Sequence, residues 1–363
     1  MIDFRYHLVS LISVFLALAV GIVLGAGPLR ENLGDQLAGQ VEQLRTEAEQ
    51  LRNDKEDLAA RNDQLTTFIA EAGPQLVDTT LEGRHIVVLT DGDATRTAVE
   101  RMNGLLDEAD VASRAEVRLR SSLWDPAEAQ TRAEALEQIR AIAPAVLPSS
   151  DAGALTDPAL LAGTIPTLLD PEPAEPLPSE LRSQVWQVLI DLQLVSIVGD
   201  LPERVDGIVV AAASPEELAT GQDEQAAAEQ SQNLLGAQTA LVDALAGAQL
   251  PTVVSAVTPD NDGSTGILRT VRGNDAGQVL STTDRLQEPD GPLLSILALV
   301  EQTRGGNGAY GTTVDADARM PELPETVAVS GQDAQNAQDG SAPSDGGGEG
   351  GADRDDTADG GEG

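Results

Sequence analysis

The chain has 363 residues, no cysteine, and 60 acidic against 22 basic side chains, which gives a formal net charge of −38. The lack of cysteine excludes disulfides. A surface this acidic repels nucleic-acid phosphates and has no basic patch with interleaved aromatic side chains, so we expect no nucleic-acid partner.

A long apolar run opens the chain and predicts a membrane anchor. Residues 8–27 read LVSLISVFLALAVGIVLGAG, twenty positions without a charged side chain. This length matches the bilayer core, whereas the apolar part of a cleavable signal peptide is about 7–15 residues long. We therefore expect a retained transmembrane helix at 8–29 after a cytoplasmic leader at 1–7, with everything from Arg30 onward outside the cytoplasm. The positive-inside rule compares the lysines and arginines on the two sides of a span. Here Arg5 precedes the span and Arg30 follows it, so the rule does not favour either orientation.

Leucines at strict seven-residue spacing follow the apolar run and predict a coiled coil over residues 30–72. Such spacing is typical of a helix that packs along another helix, and a buried asparagine at heptad position a fixes register and favours dimers. The a and d positions of this predicted seam are Leu37, Val41, Leu44, Ala48, Leu51, Lys55, Leu58, Asn62, Leu65 and Ile69. Parallel pairing also matches Glu47 with Arg52 across the two helices. We expect a parallel homodimer, and a heterotypic coiled coil with another envelope protein stays open.

After the stalk, the pattern predicts an α/β domain over residues 84–320. Gly73 and Pro74 are expected to end the stalk helix, with a linker at 73–83. Short apolar, β-rich runs then alternate with helical patterns, which indicates Rossmann-like layering around a parallel sheet. The predicted strands are 84–90, 111–119, 205–212, 251–257 and 266–271. The predicted helices are 95–108, 125–142, one that begins at Ser179, one that runs from the capping box at 214–217 to about 246, and 293–301. The proline-rich residues 166–178 are expected to be loop.

One acidic motif follows the first predicted strand of this domain. Asp91-Gly-Asp93-Ala-Thr matches DxDxT, the first motif of haloacid-dehalogenase-type phosphotransferases, in which Asp91 would be the nucleophile and Asp93 the general acid near Mg²⁺. That chemistry also needs a cation on the phosphate and a later acidic pair. Lys55 is the only lysine, and the nearest late pair, Asp260 with Asp262, also fits an ordinary turn. We expect a helix cap made by Asp91 or Asp93, no enzymatic activity and no cofactor.

The last segment, 321–363, predicts a disordered acidic tail. It is rich in glycine, aspartate and serine from residue 331 onward. Such a composition cannot bury enough apolar surface to form a core.

The opening residues MIDFRYHLVSLISVFLALAVGIVLGAGPL, the leucine stalk, the α/β domain and the closing stretch at 290–311 resemble the actinobacterial copper transport protein B family (MctB-type). The resemblance is specific over about the first thirty residues and rests on architecture beyond them. It implies an envelope protein of copper efflux or copper homeostasis, proposed to act as an outer-membrane pore. A related branch looks like a cell-division partner that pairs through its coiled coil with another membrane protein.

The residues themselves predict no copper site. Cu(I) prefers thiolate or thioether ligands and Cu(II) prefers imidazole. The chain has no cysteine, three methionines (Met1, Met102 and Met320), and two histidines, His7 and His85, in different segments. A single helix also cannot line a pore. The copper function therefore follows from the resemblance alone, and the alternative is an envelope scaffold or cell-division regulator that acts through a partner membrane protein.

Overall fold

The computed structural model describes residues 4–148, 155–170, 177–215, 224–248, 250–258 and 263–323. The chain divides into two units, Met1–Phe68 and Ile69–Gly363. Several expectations lie outside the described residues: the capping residues Glu216 and Glu217, the acidic pair Asp260 and Asp262, and the tail from residue 324 onward.

One helix, α1 (Phe4–Val77), makes up the described part of the first unit and continues into the second. Its segment Arg5–Val23 is long and apolar enough to cross a membrane. Farther along, the apolar seam positions are solvent-exposed in the single chain, between 48% and 70% of their full exposure. These residues are Leu37, Val41, Leu44, Leu51, Leu58 and Leu65.

The expected end of the helix at Gly73 and Pro74 is wrong, because α1 runs on to Val77. A Cβ added at Gly73 would meet side-chain carbons of Leu105 at 3.4 Å and of Leu293 at 3.7 Å, so the helix passes close to the domain core here. Val77 is fully buried. This packing outweighs the preference of glycine and proline to end a helix, and the linker, expected from residue 73, begins five residues later, at Asp78.

The second unit contains a seven-stranded sheet in the order β3-β2-β1-β4-β5-β6-β7. Every neighbouring pair is parallel except β2 with β3, which is antiparallel. The strands are β1 (His85–Thr90), β2 (Ser113–Leu119), β3 (Val195–Val198), β4 (Gly207–Ala212), β5 (Thr252–Ala256), β6 (Ser281–Thr283) and β7 (Ala309–Tyr310). The expected α/β fold with a parallel sheet is confirmed.

Helices cover both faces of this sheet, which explains the continuous apolar runs of its central strands. Alternate residues of β1 point to opposite sides: Val87 and Leu89 join one apolar core, and Ile86 and Val88 join the other. The first core contains α3 (Ala129–Ile142), α4 (Asp157–Leu169), α5 (Ser179–Asp191), α6 (Glu224–Ala248) and α7 (Gly266–Arg272). The second contains α2 (Arg96–Glu108), α8 (Gly291–Gln302) and the end of α1.

The predicted strand at 266–271 is wrong, because these residues form helix α7. Ile267, Leu268 and Val271 are all buried. Their i, i+1, i+4 spacing places them on one face of a helix, which packs on the sheet. The strand position next to β5 is taken instead by β6, which sequence reasoning did not predict.

The proline-rich segment was predicted as loop, but Pro166 lies inside α4. Pro158 stands in the first turn of this helix, where its missing N–H costs nothing. The helix is buried along nearly its whole length, so apolar packing compensates for the backbone hydrogen bond that Pro166 removes. Residues 171–176 lie outside the described residues.

Candidate functional site

The order of the strands reverses between β1 and β4, since the chain passes from β1 to β2 on one side and later places β4 on the other. Open α/β sheets bind ligands beyond the carboxyl ends of their strands at such a point. A cleft of about 580 Å³ lies here, lined by residues from 90–96 and 116–121 together with Trp124, Ser196 and Ala213. The sheet topology and the cavity therefore mark the same candidate site.

Asp91 lies at the end of β1 and joins three elements. Only 2% of it is exposed. Its Oδ1 accepts a hydrogen bond from the backbone N–H of Ala213, after β4, at 2.6 Å. Its Oδ2 accepts a hydrogen bond from Nε2 of Gln238, in α6, at 2.6 Å. Burial raises the pKa of Asp91 to about 6, although both hydrogen bonds lower it.

Asp93 also lines the cleft but lies in solvent, where it forms an ion pair with Arg96. Neither aspartate caps the following helix: the turn at Asp93–Thr95 and helix α2 have no side-chain cap at their starts. The expected cap is therefore wrong. The carboxylate of Asp91 instead links the end of β1 to the residue after β4, through its hydrogen bond with the backbone N–H of Ala213.

Four further polar residues of the cleft were not singled out by sequence reasoning. Glu116 and Arg118 form a two-bond ion pair, with Nε–Oε1 and Nη2–Oε2 distances of 2.6 and 3.0 Å. Arg120 and Ser121 follow at the end of β2. Alternating polar residues at the carboxyl end of a predicted parallel strand are the signal that could have found them.

A family model described as "Copper transport outer membrane protein, MctB" matches residues 1–321 of this chain. The chain belongs to the MctB family. The proteins named Copper transporter MctB from Mycobacterium tuberculosis (strain ATCC 25618 / H37Rv) and Mycobacterium bovis (strain ATCC BAA-935 / AF2122/97) are each 27% identical over 323 residues. Each alignment covers 86% of this chain and 96% of the relative. The family resemblance seen in the sequence is confirmed.

The methionine thioethers and histidine imidazoles of this MctB-family chain are not arranged as copper ligands. In the second unit, Nδ1 of His85 lies 2.8 Å from the hydroxyl of Ser113. Met102 is fully buried among apolar residues of the core, and Met320 is partly exposed. Across the described residues, no three histidine, cysteine, aspartate or glutamate side chains lie close enough to hold a metal ion. This donor set does not fit a resident copper ion.

The buried carboxylate of Asp91 predicts a pH-dependent stability for this MctB-family domain. Its pKa rises on folding, so between about pH 4 and pH 6 the folded state holds a proton that the unfolded state has released. The free energy of unfolding therefore falls as the pH rises, by about 1 kcal/mol between pH 5 and pH 7 for this group. Urea unfolding followed by the fluorescence of Trp124 and Trp186 measures it, since both tryptophans lie in the second unit.

Asp91→Asn is the control that isolates this carboxylate from the other 59 acidic side chains. The difference between the free energies of unfolding of wild type and Asp91→Asn should change with pH by the same amount. A difference that stays constant from pH 5 to pH 7 would show that Asp91 titrates outside this range.

Proposed function

We propose that this chain is a non-enzymatic, single-pass membrane protein that serves copper homeostasis at the cell envelope. The observation that carries the proposal is the family match over residues 1–321, with relatives named as copper transporters. The apolar segment Arg5–Val23 supports one membrane span. In this arrangement residues 1–7 lie in the cytoplasm and the α/β domain lies outside it.

The absence of enzymatic activity is part of the proposal and is supported by the two aspartates of the DxDxT motif. Both carboxylate oxygens of Asp91 accept hydrogen bonds from the protein, and Asp93 pairs with Arg96 in solvent. A nucleophile needs a free oxygen in line with the phosphorus, and a general acid must reach the leaving group. The only lysine of the chain, Lys55, belongs to α1 in the first unit.

The stalk is proposed to pair with a second copy of itself in parallel. The leucines at every seventh position form an exposed apolar stripe. Burying this stripe against a second helix is favourable because it removes apolar surface from water. Two anchors in one membrane would also hold two stalks in the same direction. A pairing of this kind lets the protein act on copper through an assembly, since its own described residues contain no cluster of three or more histidine, cysteine, aspartate or glutamate side chains that could hold a metal ion.

The copper content of cells tests the proposed role. In the native host, a strain without this protein should accumulate more cell-associated copper than wild type when copper is added, and the intact gene should restore the lower content. Mass spectrometry of washed cells measures the metal, and zinc serves as the matched control metal. The growth defect of the deletion strain should appear only when copper is added.

The opposite pattern would replace this proposal with the scaffold alternative. Unchanged copper content, together with septation defects in medium without added copper, would indicate an envelope scaffold or cell-division regulator. The double variant Leu44→Pro with Leu58→Pro breaks the stalk helix. If this variant restored the lower copper content of the deletion strain, stalk pairing would not be needed for the copper phenotype.

Purified full-length protein is expected to bind no stoichiometric Cu(I). With no thiol, three scattered thioethers and two histidines in different segments, the metal would meet mainly carboxylates, which favour calcium and other hard cations. Competition with a Cu(I) chelator should leave far less than one copper per chain, and calcium should displace any Cu(II). One chelator-resistant Cu(I) per chain would contradict this expectation and identify the chain itself as a carrier.

A further inference from the structure

One wall of the cleft collects hydrogen-bond donors that have no partner. Arg120 lines it without an ion pair or side-chain hydrogen bond among the described residues, and the hydroxyls of Ser121 and Ser196 also lack protein partners. Trp124, which is only 2% exposed, leaves its Nε1–H without an acceptor. This N–H has almost no accessible surface, so the donors that the cleft offers to a ligand are those of Arg120, Ser121 and Ser196.

These four residues come from two adjacent parts of the fold. Arg120, Ser121 and Trp124 belong to the turn that follows β2, which continues as a short 3₁₀ turn at Ser121–Leu123. Ser196 lies on β3, opposite Arg118 in the antiparallel register. The backbone N–H of Arg120 also bonds to the carbonyl of Leu194, at 3.0 Å, and holds this turn against the start of β3. The donors are therefore positioned by backbone contacts.

Among the charged side chains of the cleft, one arginine forms no ion pair with the described residues. Arg96 pairs with Asp93, and Arg118 pairs with Glu116. Both oxygens of Asp91 are already bonded to Ala213 and Gln238. The guanidinium of Arg120 is therefore the one cation of the cleft lining that has no ion-pair partner among the described residues.

A cation is the less suitable occupant of this cleft. Asp93 and Glu116 are engaged by arginines, and no three potential metal ligands cluster among the described residues. An anion with several acceptor oxygens would satisfy the guanidinium and the two hydroxyls together, since arginine is suited to planar carboxylate and phosphate groups.

We propose that this cleft binds a small molecule with a phosphate or carboxylate group, held by Arg120, Ser121 and Ser196. The volume of about 580 Å³ lies within the range of small-molecule sites, roughly 300–1,000 Å³. The position beyond the carboxyl ends of β1, β2 and β4 is the usual ligand position in open α/β sheets. This site is independent of the proposed copper role.

Tryptophan fluorescence can report on the site directly. The chain has two tryptophans, so Trp186→Phe leaves Trp124 as the single reporter in full-length protein held in detergent micelles. Sodium pyrophosphate and sodium citrate serve as the two probes, and sodium chloride at equal ionic strength serves as the blank. A saturable change in Trp124 emission is expected, and isothermal titration calorimetry on wild-type protein should give the same Kd. A response to pyrophosphate alone identifies phosphate as the ligand group, and a response to citrate alone identifies carboxylate.

Arg120→Gln then tests the assigned residue. It should raise the Kd at least about tenfold, because it removes a charge-assisted hydrogen bond to the anion. Arg304→Gln is the matched control, since Arg304 is exposed just beyond α8 and has no ion pair among the described residues. The control should leave the Kd unchanged.

Two results would overturn the assignment. One is the absence of a saturable response to either probe by fluorescence and by calorimetry. The other is an equal loss of affinity in Arg120→Gln and Arg304→Gln, which would show that the anions respond to net charge and not to this cleft. Arg120 is exposed, so its replacement should not disturb folding, and circular dichroism checks this.

Discussion

Replacing Arg272 with methionine is expected to lower the free energy of unfolding of the α/β domain by about 3–5 kcal/mol, the usual cost of breaking a buried ion pair from one side. The Arg272 side chain is 6% exposed and the Asp284 side chain is fully buried, with an Nη2–Oδ2 distance of 3.7 Å. The guanidinium donates to the hydroxyl of Thr282 at 2.9 Å, to the hydroxyl of Thr313 at 2.6 Å and to the carbonyl of Tyr310 at 3.1 Å.

These contacts join α7 and β6 to the closing segment of the domain. Asp284 accepts hydrogen bonds from the backbone N–H groups of Thr312 and Thr313, at 2.9 and 3.1 Å, and from the hydroxyl of Thr313 at 2.6 Å. Without Arg272, the fully buried carboxylate keeps these donors but loses the one ion-pair partner that it has among the described residues. The closing segment after β7 should therefore loosen first.

Urea unfolding of the full-length protein, followed by tryptophan fluorescence, measures this loss. Arg269→Gln is the matched control, because Arg269 lies on the exposed side of the same helix and, among the described residues, its side chain bonds only to the carbonyl of Ser264, at 3.0 Å. It should cost less than about 1 kcal/mol. A loss of similar size in both variants would mean that the buried pair contributes nothing specific to stability.

The parts of the fold that sequence reasoning predicted are those with strong local patterns. Strand β1 was predicted from a continuous apolar run, and it is buried on both faces in the centre of the sheet. Asp125 was predicted to start a helix, and its side chain accepts from the N–H of Ala127 at 2.9 Å. These signals depend on near neighbours in sequence, so they can be read without knowledge of the tertiary structure.

The missed elements depend on distant contacts. Strands β6 and β7 have three and two residues, too few for a period of two to be visible. Helix α7 has β-branched residues that favour strands, but its position beside α6 and the sheet decides its structure. Arg272 gave no sequence signal, because its partners lie 10 to 43 residues farther along the chain.

Sequence reasoning singled out one residue of the candidate cleft but did not predict its contacts. Asp91 was singled out because it follows a buried strand, and it does line the cleft. Its actual partners, Ala213 and Gln238, are 122 and 147 residues away. No local motif encodes such pairings. Only the structure reveals that Asp91 links β1 to the segment after β4 and does not cap a helix.

Leu51→Asp is expected to convert the proposed stalk dimer into monomers, with the dimer Kd raised by about 100-fold or more. In a parallel pair, Leu51 would meet its own copy at heptad position d, so the variant would bury two like charges at the seam. In the single chain this side chain is 70% exposed, so the substitution should not disturb the isolated helix. Sedimentation velocity on a soluble form that starts at Arg30 measures the association state.

Asn53→Asp is the matched control for charge. It adds the same negative charge two residues away, at heptad position f, which faces away from the seam. Its dimer should be as stable as that of the wild type.

The direction of pairing has its own test, because the chain contains no cysteine. A single Leu58→Cys should form a disulfide between two copies only when the stalks run parallel and in register, since the two Cα atoms must come within about 4.4–6.8 Å. Rapid cross-linking in membranes would support the parallel homodimer. A wild-type form that stays monomeric at high micromolar concentration, with no cross-link in membranes, would refute the homodimer. The exposed leucines would then require a different helix as partner, and the heterotypic stalk would become the working hypothesis.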